Sequence, residues 1–162
     1  MSVFKVHQAL ALCNDFDSKR ISLDTLIRIN KGKLDPNTWS PMLKEHSEPE
    51  FSLPIRKLLN YTLIQSDNNV SNLMFKRLLD IAKTDSFVAT IIPRSSFQIA
   101  YTEEEIKAAG DTIINAGLRF RDQSIREVFK LDKGYLKWMA YEATTLEESL
   151  IRAAKVYYET HI

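Results

Sequence analysis

The chain has 162 residues, of which 44% are hydrophobic and 27% are charged, and its formal net charge is +1. These values are typical of one globular domain or one and a half, and the near-neutral charge gives no indication of a nucleic-acid or membrane-surface protein. No apolar run approaches the roughly 20 residues that span a bilayer. The single cysteine, Cys13, excludes an intrachain disulfide and is expected to be a packed thiol within an apolar helix.

Residues 2 to 16 are predicted to form the first helix. Five apolar residues recur there at helical spacing: Val6, Ala9, Leu10, Cys13 and Phe16. Ser2 and Lys5 stand at the start of this helix and share a face. A helix start suits a nucleophile, because its free N–H groups stabilise developing negative charge, and a desolvated lysine can take the hydroxyl proton. The alternative is an exposed serine beside a solvated lysine.

Residues 21 to 53 are predicted to be loop-rich, since glycine and proline interrupt them repeatedly. Trp39, among small polar residues, is expected to be a packing anchor under a long loop. His7 and His46 have no cysteine or carboxylate at ligand spacing, so a metal site is not expected.

Two helical runs follow, and a short polar turn separates them. The first covers residues 54 to 65, and its predicted inward residues are Leu58, Leu59 and Leu63. The turn is Ser66-Asp67-Asn68, and the second run continues to about Ala82. Serine, aspartate and asparagine all favour helix starts, so an ordinary capped helix–turn–helix is one interpretation. Asp67 is expected to be structural, because aspartate bonds nearby backbone donors in turns.

The two polar motifs together resemble a known signature. Ser-x-x-Lys and Ser-Asp-Asn, in this order, are two of the three motifs of class A β-lactamases and penicillin-binding proteins, the third being Lys-Thr-Gly. Three further stretches resemble the CfxA branch of the class A β-lactamases: FKVHQALAL at 4–12, LDPNTWSPM at 34–42 and IPRSSFQIAYTEEE at 92–105. The resemblance covers residues 1 to about 106.

This resemblance implies hydrolysis of a β-lactam amide through an acyl-enzyme on Ser2. Lys5 is then the base or proton shuttle, Ser66 relays a proton to the leaving nitrogen, and Asn68 donates a hydrogen bond to the substrate side-chain amide. Glu103 is the deacylating base, acting through water. A β-lactam is the implied small-molecule ligand, with no metal and no cofactor.

Residues 94 to 106 resemble the start of the Ω-shaped loop of that family. Glu103 occupies the position of the deacylating carboxylate, although Glu104 follows it where many class A enzymes have proline. The alternative is that residues 103 to 105 form the acidic first turn of a helix capped by Thr102.

The expected fold is mainly α: the helical lobe of a class A β-lactamase or transpeptidase-like fold, lacking the sheet, plus a small helical tail. The expected domains are 1–106 and 107–162. No Lys-Thr-Gly triplet occurs, so a truncated enzyme, inactive or weak, is expected. The family implies a periplasmic location; Met1 directly precedes Ser2 without a signal peptide, which implies the cytoplasm if the chain is made as printed.

The tail is predicted to contain a short strand at 117–120 and three helices. A capping box of Ser124 and Glu127 opens the first helix, which runs to about Leu131. The second covers residues 135 to 141. Thr145 with Glu148 is expected to cap the third, which ends near Tyr158. Residues 124–139 are faintly similar to the small C-terminal domain of DnaQ-like exonucleases.

A non-enzymatic fragment or fusion, with the tail as a protein- or nucleic-acid-interaction module, is the competing interpretation. Residues 107–162 hold nine basic and eight acidic side chains, and this balance argues against nucleic-acid binding. Self-association through an exposed apolar surface is expected if the lobe lacks its sheet.

Overall fold

The computed structural model describes residues 4–93, 99–115 and 119–162. The chain divides into two compact units, Met1–Ala100 and Tyr101–Ile162. The junction predicted at residue 106 marks where the family resemblance ends, and it stays a prediction. The predicted nucleophile Ser2, the loop residues 94–98 and half of the predicted strand at 117–120 lie outside the described residues.

The described residues form nine α-helices and two β-strands. In chain order these are α1 (Phe4–Lys19), β1 (Leu26–Asn30), α2 (Pro41–Glu45), β2 (Glu50–Pro54), α3 (Ile55–Ile64), α4 (Asn68–Arg77), α5 (Ile81–Val88), α6 (Glu103–Asp111), α7 (Ile125–Leu131), α8 (Lys133–Tyr141) and α9 (Glu148–His161). A short 3-10 turn, Lys31–Lys33, follows β1.

The buried face of α1 matches the predicted apolar spacing only in part, at Ala9 and Phe16. Val6 and Leu10 are both 51% exposed and Cys13 is exposed, so its prediction as a packed thiol was wrong. The face turned to the core instead comprises Lys5, Gln8, Ala9, Ala11, Leu12 and Phe16. Two long polar side chains are thus buried, and a line of apolar ones, which we name the outer stripe of α1 (Val6, Leu10 and Cys13), is left exposed.

Strands β1 and β2 form an antiparallel pair, in register from Leu26 opposite Pro54 to Asn30 opposite Glu50. Ile27, Ile29 and Leu53 of this pair are buried, while the residues between them in β1 face outward, as expected for a pair with one covered face. Within the described ranges this pair is the whole of the β-sheet, which agrees with the expected lobe.

Helices α3, α4 and α5 follow one another with three-residue connections. The helix predicted to continue to Ala82 ends at Arg77, and that prediction was wrong because Asp80 caps a separate helix by accepting from the Lys83 N–H at 2.8 Å. Leu58 and Leu59 are buried as predicted, but Leu63 is 47% exposed. These helices and α1 enclose one core with the strand pair.

The second unit packs four helices around its own apolar core. Both capping boxes are formed: Thr102 with Glu105 opens α6, and Ser124 with Glu127 opens α7 as predicted. The predicted cap at Thr145 was wrong, since α9 begins after Glu147 without a side-chain capping bond. Gly110 lets α6 approach α9 closely, because a Cβ at that position would collide with the ring of Tyr157.

None of the described helices combines the length and the apolar character that crossing a membrane requires.

Thr62 provides a test of the core of the first unit. Its side chain is 1% exposed, and its Oγ1 has no hydrogen-bond partner among the described residues. Because a buried hydroxyl without a partner costs free energy, Thr62→Val is expected to raise the free energy of unfolding by about 1 kcal/mol. The matched control is Thr84→Val: Thr84 is equally buried, but its hydroxyl donates to the Asp80 carbonyl at 2.9 Å. Thermal melts in which both variants lose stability equally would contradict the assignment.

Candidate active site

A buried lysine joins α1 to the turn before α4. Lys5 is 2% exposed, and its Nζ donates to three oxygens: the Ser66 carbonyl at 2.7 Å, Ser66 Oγ at 3.1 Å and Asn68 Oδ1 at 2.6 Å. These residues are separated by about sixty positions in the chain. The sequence predicted four site residues that the structure describes in the first unit, Lys5, Ser66, Asp67 and Asn68. Three of them therefore meet, since Lys5 contacts both Ser66 and Asn68 directly.

The backbone of the turn explains how Ser66 reaches the lysine. Helix α3 ends when Gln65 N donates to the Tyr61 carbonyl at 3.2 Å, and Asp67 N returns to that same carbonyl at 3.1 Å. Ser66 between them has φ 53°, in the left-handed region that L residues other than glycine rarely occupy. The reversal turns both the hydroxyl and the carbonyl of Ser66 towards Lys5.

Asp67 holds the turn in place through a fully buried carboxylate. Its two oxygens accept from Ser40 Oγ at 2.9 Å each, from the Met42 N–H at 2.8 Å and from the Val70 N–H at 3.0 Å. One side chain therefore caps α4 and also fixes the start of α2. This geometry supports the structural role that the sequence suggested for Asp67.

The loop before α2 closes the other side of the turn, and the sequence did not identify its contacts. Asn68 N donates to the Trp39 carbonyl at 3.0 Å, and Asn68 Nδ2 donates to Thr38 Oγ1 at 3.1 Å. Trp39 Nε1 donates to the Gln65 carbonyl at 2.8 Å, yet the side chain is 55% exposed. Trp39 is thus not the anchor under a loop that was predicted. Its ring lies on the surface beside the turn, with Lys44 Nζ 4.7 Å from the ring centroid.

Tyr61 supports the turn from below. Its phenol is buried and donates to the Glu45 carboxylate. Burial, together with this hydrogen bond, raises the pKa of the Tyr61 phenol, and the same bond lowers the pKa of Glu45. The Tyr61 phenol is therefore held as a neutral donor to Glu45.

Glu103 is the first residue of α6 and belongs to the second unit. The helix is capped by Thr102, whose Oγ1 accepts from Glu105 N at 3.1 Å. This is the local structure of the alternative interpretation, an acidic first turn, and the deacylating role of Glu103 stays a prediction. In the described ranges, no group of three or more His, Cys, Asp or Glu side chains is placed to hold a metal ion.

The arrangement is suited to moving protons. An ammonium removed from water needs oxygen acceptors, and three oxygens that accept from Lys5 are neutral. They can accept hydrogen bonds from the charged ammonium and also from the neutral amine of the lysine. A hydroxyl 3.1 Å from Nζ is close enough to exchange a proton with it. The cluster can therefore pass a proton from a nucleophile near Lys5 to a group that approaches Ser66.

Comparisons with known proteins identify relatives of the first unit. A model described as the beta-lactamase enzyme family matches residues 1–108. A beta-lactamase from Phocaeicola vulgatus is 74% identical over 108 residues, which are 67% of this chain and 34% of that protein. The predicted resemblance over residues 1 to about 106 is confirmed, and the tail's likeness to exonuclease domains stays a prediction.

Two solved structures share the fold. A class A beta-lactamase from Bacteroides cellulosilyticus DSM 14838 superposes with a TM-score of 0.61 at 24% identity, covering 96% of this chain and 51% of that one. TLA-3 extended-spectrum beta-lactamase gives a TM-score of 0.62 at 25% identity, with coverages of 94% and 52%. The mainly α fold predicted for this chain is confirmed, and the chain spans about half of each structure.

Asp67 and Asp80 allow a matched test of the turn, because both cap a helix through a carboxylate. Asp67→Asn replaces one acceptor oxygen by an NH₂ group that faces buried donors, so it is expected to lower the free energy of unfolding by about 2 kcal/mol. Asp80 is exposed and asparagine also caps well, so Asp80→Asn is expected to melt almost like the parent. Denaturant titration of both variants measures the difference, and equal losses would show that burial of Asp67 is not what matters.

Proposed function

The chain belongs to the beta-lactamase enzyme family, and from that premise we propose that its site forms an acyl-enzyme with β-lactams. In this proposal the Ser2 hydroxyl attacks the β-lactam carbonyl, and the ring amide bond breaks. The observation that supports it is the contact of the buried Lys5 Nζ with Ser66 Oγ and Asn68 Oδ1. Ser2 is assigned from the Ser-x-x-Lys match.

The proton follows a path through two of the described residues. Lys5, in its neutral form, takes the proton of Ser2 as the new ester bond forms. The proton then crosses the 3.1 Å contact to Ser66 Oγ, and the Ser66 hydroxyl gives its own proton to the leaving nitrogen. One proton leaves the nucleophile and one reaches the amine, so the acylation step is balanced without a cofactor.

Asn68 has the polarity that a substrate amide requires. Its Oδ1 accepts from Lys5, and one N–H of its amide donates to Thr38 Oγ1. An amide nitrogen carries two hydrogens. The proposal assigns the second to the side-chain carbonyl of the substrate, and Lys5 and Thr38 fix which end of the amide faces it.

Both acylation and deacylation are expected to be slow in the chain as given. Glu103 is assigned as the carboxylate that activates the deacylating water. The printed chain has no Lys-Thr-Gly triplet, which in the family supplies an oxyanion donor and receives the substrate carboxylate. Loss of one oxyanion donor costs about 10²–10³ in rate. Because both steps pass through an oxyanion, we propose slow formation and slow hydrolysis of the acyl-enzyme. The exported, periplasmic location of the family also belongs to this proposal.

Mass spectrometry after incubation with benzylpenicillin tests the acylation. An adduct with the mass of the intact antibiotic is expected on Ser2 and is expected to disappear in Ser2→Ala and Lys5→Ala. Ser66→Ala is expected to slow its formation by about 10²-fold, because the relay to nitrogen is lost. Ser18→Ala is the matched control, since its exposed hydroxyl only donates to the Asp15 carbonyl, and it is expected to acylate normally. An adduct that persists in Ser2→Ala would contradict the proposal.

A second proposal concerns the expected self-association through an exposed apolar surface: the chain self-associates through the outer stripe of α1. Val6 and Leu10 lie one turn apart and are each half-exposed, with Cys13 in line. Contiguous exposed aliphatic side chains favour association because burying them releases water. The occupant proposed for this stripe is the same stripe of a second copy.

Sedimentation velocity in reducing buffer tests the self-association without interference from a Cys13 disulfide. The parent chain is expected to sediment as a concentration-dependent dimer, and Leu10→Lys is expected to sediment as a monomer. Leu131→Lys is the matched control, because Leu131 is 68% exposed on α7 and lies outside the stripe. A monomeric parent, or equal loss of dimer in both variants, would refute the proposal.

A further inference from the structure

A second polar link joins α1 to α4, one turn below the lysine. Gln8 Nε2 donates to the Ser71 carbonyl at 2.9 Å, and Ser71 Oγ donates to Gln8 Oε1 at 2.9 Å. Gln8 is 1% exposed and Ser71 is fully buried. Neither residue belongs to the Ser-x-x-Lys or Ser-Asp-Asn motif.

The spacing of this pair matches that of the site. Gln8 follows Lys5 by three residues on α1, and Ser71 follows Asn68 by three residues on α4. Residues three apart lie on the same helix face, about 4.5 Å apart along the axis. The Lys5–Asn68 bond and the Gln8–Ser71 pair are therefore two cross-links between the same two helices.

The stability of the core does not require this pair. A buried polar pair contributes little net stability over apolar side chains of the same shape. The other buried residues of α1, such as Leu12 and Phe16, belong to an apolar core cluster, and apolar burial is non-directional. Such packing tolerates a small slide or rotation of α1. The two bonds of the Gln8 amide, one donated to the Ser71 carbonyl and one accepted from the Ser71 hydroxyl, are satisfied together at one register only.

We propose that Gln8 and Ser71 are positioning residues that fix the register of α1 against α4. In that register Lys5 Nζ lies within hydrogen-bond reach of Ser66 Oγ and Asn68 Oδ1. The expected effect on acylation of Ser2 rests on the proposed function, but the role of the pair in fixing the register does not. A displacement near 1 Å lowers the rate of such a transfer by about 10²-fold, so the pair matters for acylation beyond its effect on stability.

The informative variants remove the two hydrogen bonds of the pair without leaving a buried polar side-chain atom unpaired. Gln8→Met with Ser71→Ala substitutes apolar groups on both sides and is expected to melt within a few degrees of the parent. Gln8→Met alone is a second route, because the Ser71 hydroxyl can bond a carbonyl of its own helix. Thr84→Val is the control, since it removes a buried hydroxyl whose bond lies within α5.

Two readouts decide the proposal on folded protein. The first is acetylation of Lys5 by acetic anhydride, followed by peptide mapping; it needs no β-lactam chemistry. In both Gln8 variants the rate of Lys5 acetylation is expected to rise by about tenfold, because the population of locally opened molecules that expose the lysine rises by the same factor. The second is acylation of Ser2 by benzylpenicillin, which is expected to slow by about 10- to 100-fold. Thr84→Val is expected to leave both rates unchanged.

The outcomes separate the two proposals. Variants that fold like the parent and show parental rates of Lys5 acetylation would overturn the positioning role. Absence of a Ser2 adduct on the parent chain would overturn the proposed function, and Lys5 acetylation would still decide the register. Faster acetylation in Thr84→Val as well would show a general loosening, which also refutes a specific role for the Gln8–Ser71 pair.

Discussion

A buried ammonium is the constraint on which the first unit depends. An isolated charge in a protein interior is unstable unless oxygens surround it, and Lys5 finds three of them at Ser66 and Asn68. To bring those oxygens to the lysine, the chain must reverse at Ser66 and begin a helix at once. Most of the polar contacts nearby serve that reversal: the Asp67 carboxylate, the Tyr61 carbonyl and the Trp39 carbonyl all accept from backbone N–H groups of the turn or of the first turn of α4.

The parts of this site that the sequence predicts are those that depend on local chemistry. Small polar residues after an amphipathic run predict a turn and a helix start, and both are where the motif places them. The two capping boxes of the second unit were found for the same reason. The end of the helix before Asp80 was not predicted, because apolar residues continue at helical spacing across it. Asp80 itself is a sequence signal for a new helix start.

Other features depend on contacts that no local pattern carries. Apolar spacing predicted the buried face of α1 only in part, since Lys5 and Gln8 are polar residues that become buried because α4 and the turn before it supply partners for them. Thr38 and Trp39 likewise join the site through a loop whose path follows from the Asp67 carboxylate holding Ser40 and Met42. Such pairings link distant parts of the chain, so periodicity and propensity do not reveal them.

The left-handed backbone at Ser66 has a consequence for how the site relates to folding. An L residue with a Cβ costs about 1–2 kcal/mol in this conformation, and glycine costs much less. For the local backbone alone, glycine at position 66 would make the same reversal with less strain. The serine hydroxyl beside Lys5 is thus present against the local backbone preference. That hydroxyl is one of the acceptors of the buried lysine, so the strain at position 66 is offset by a contact made some sixty residues away in the chain.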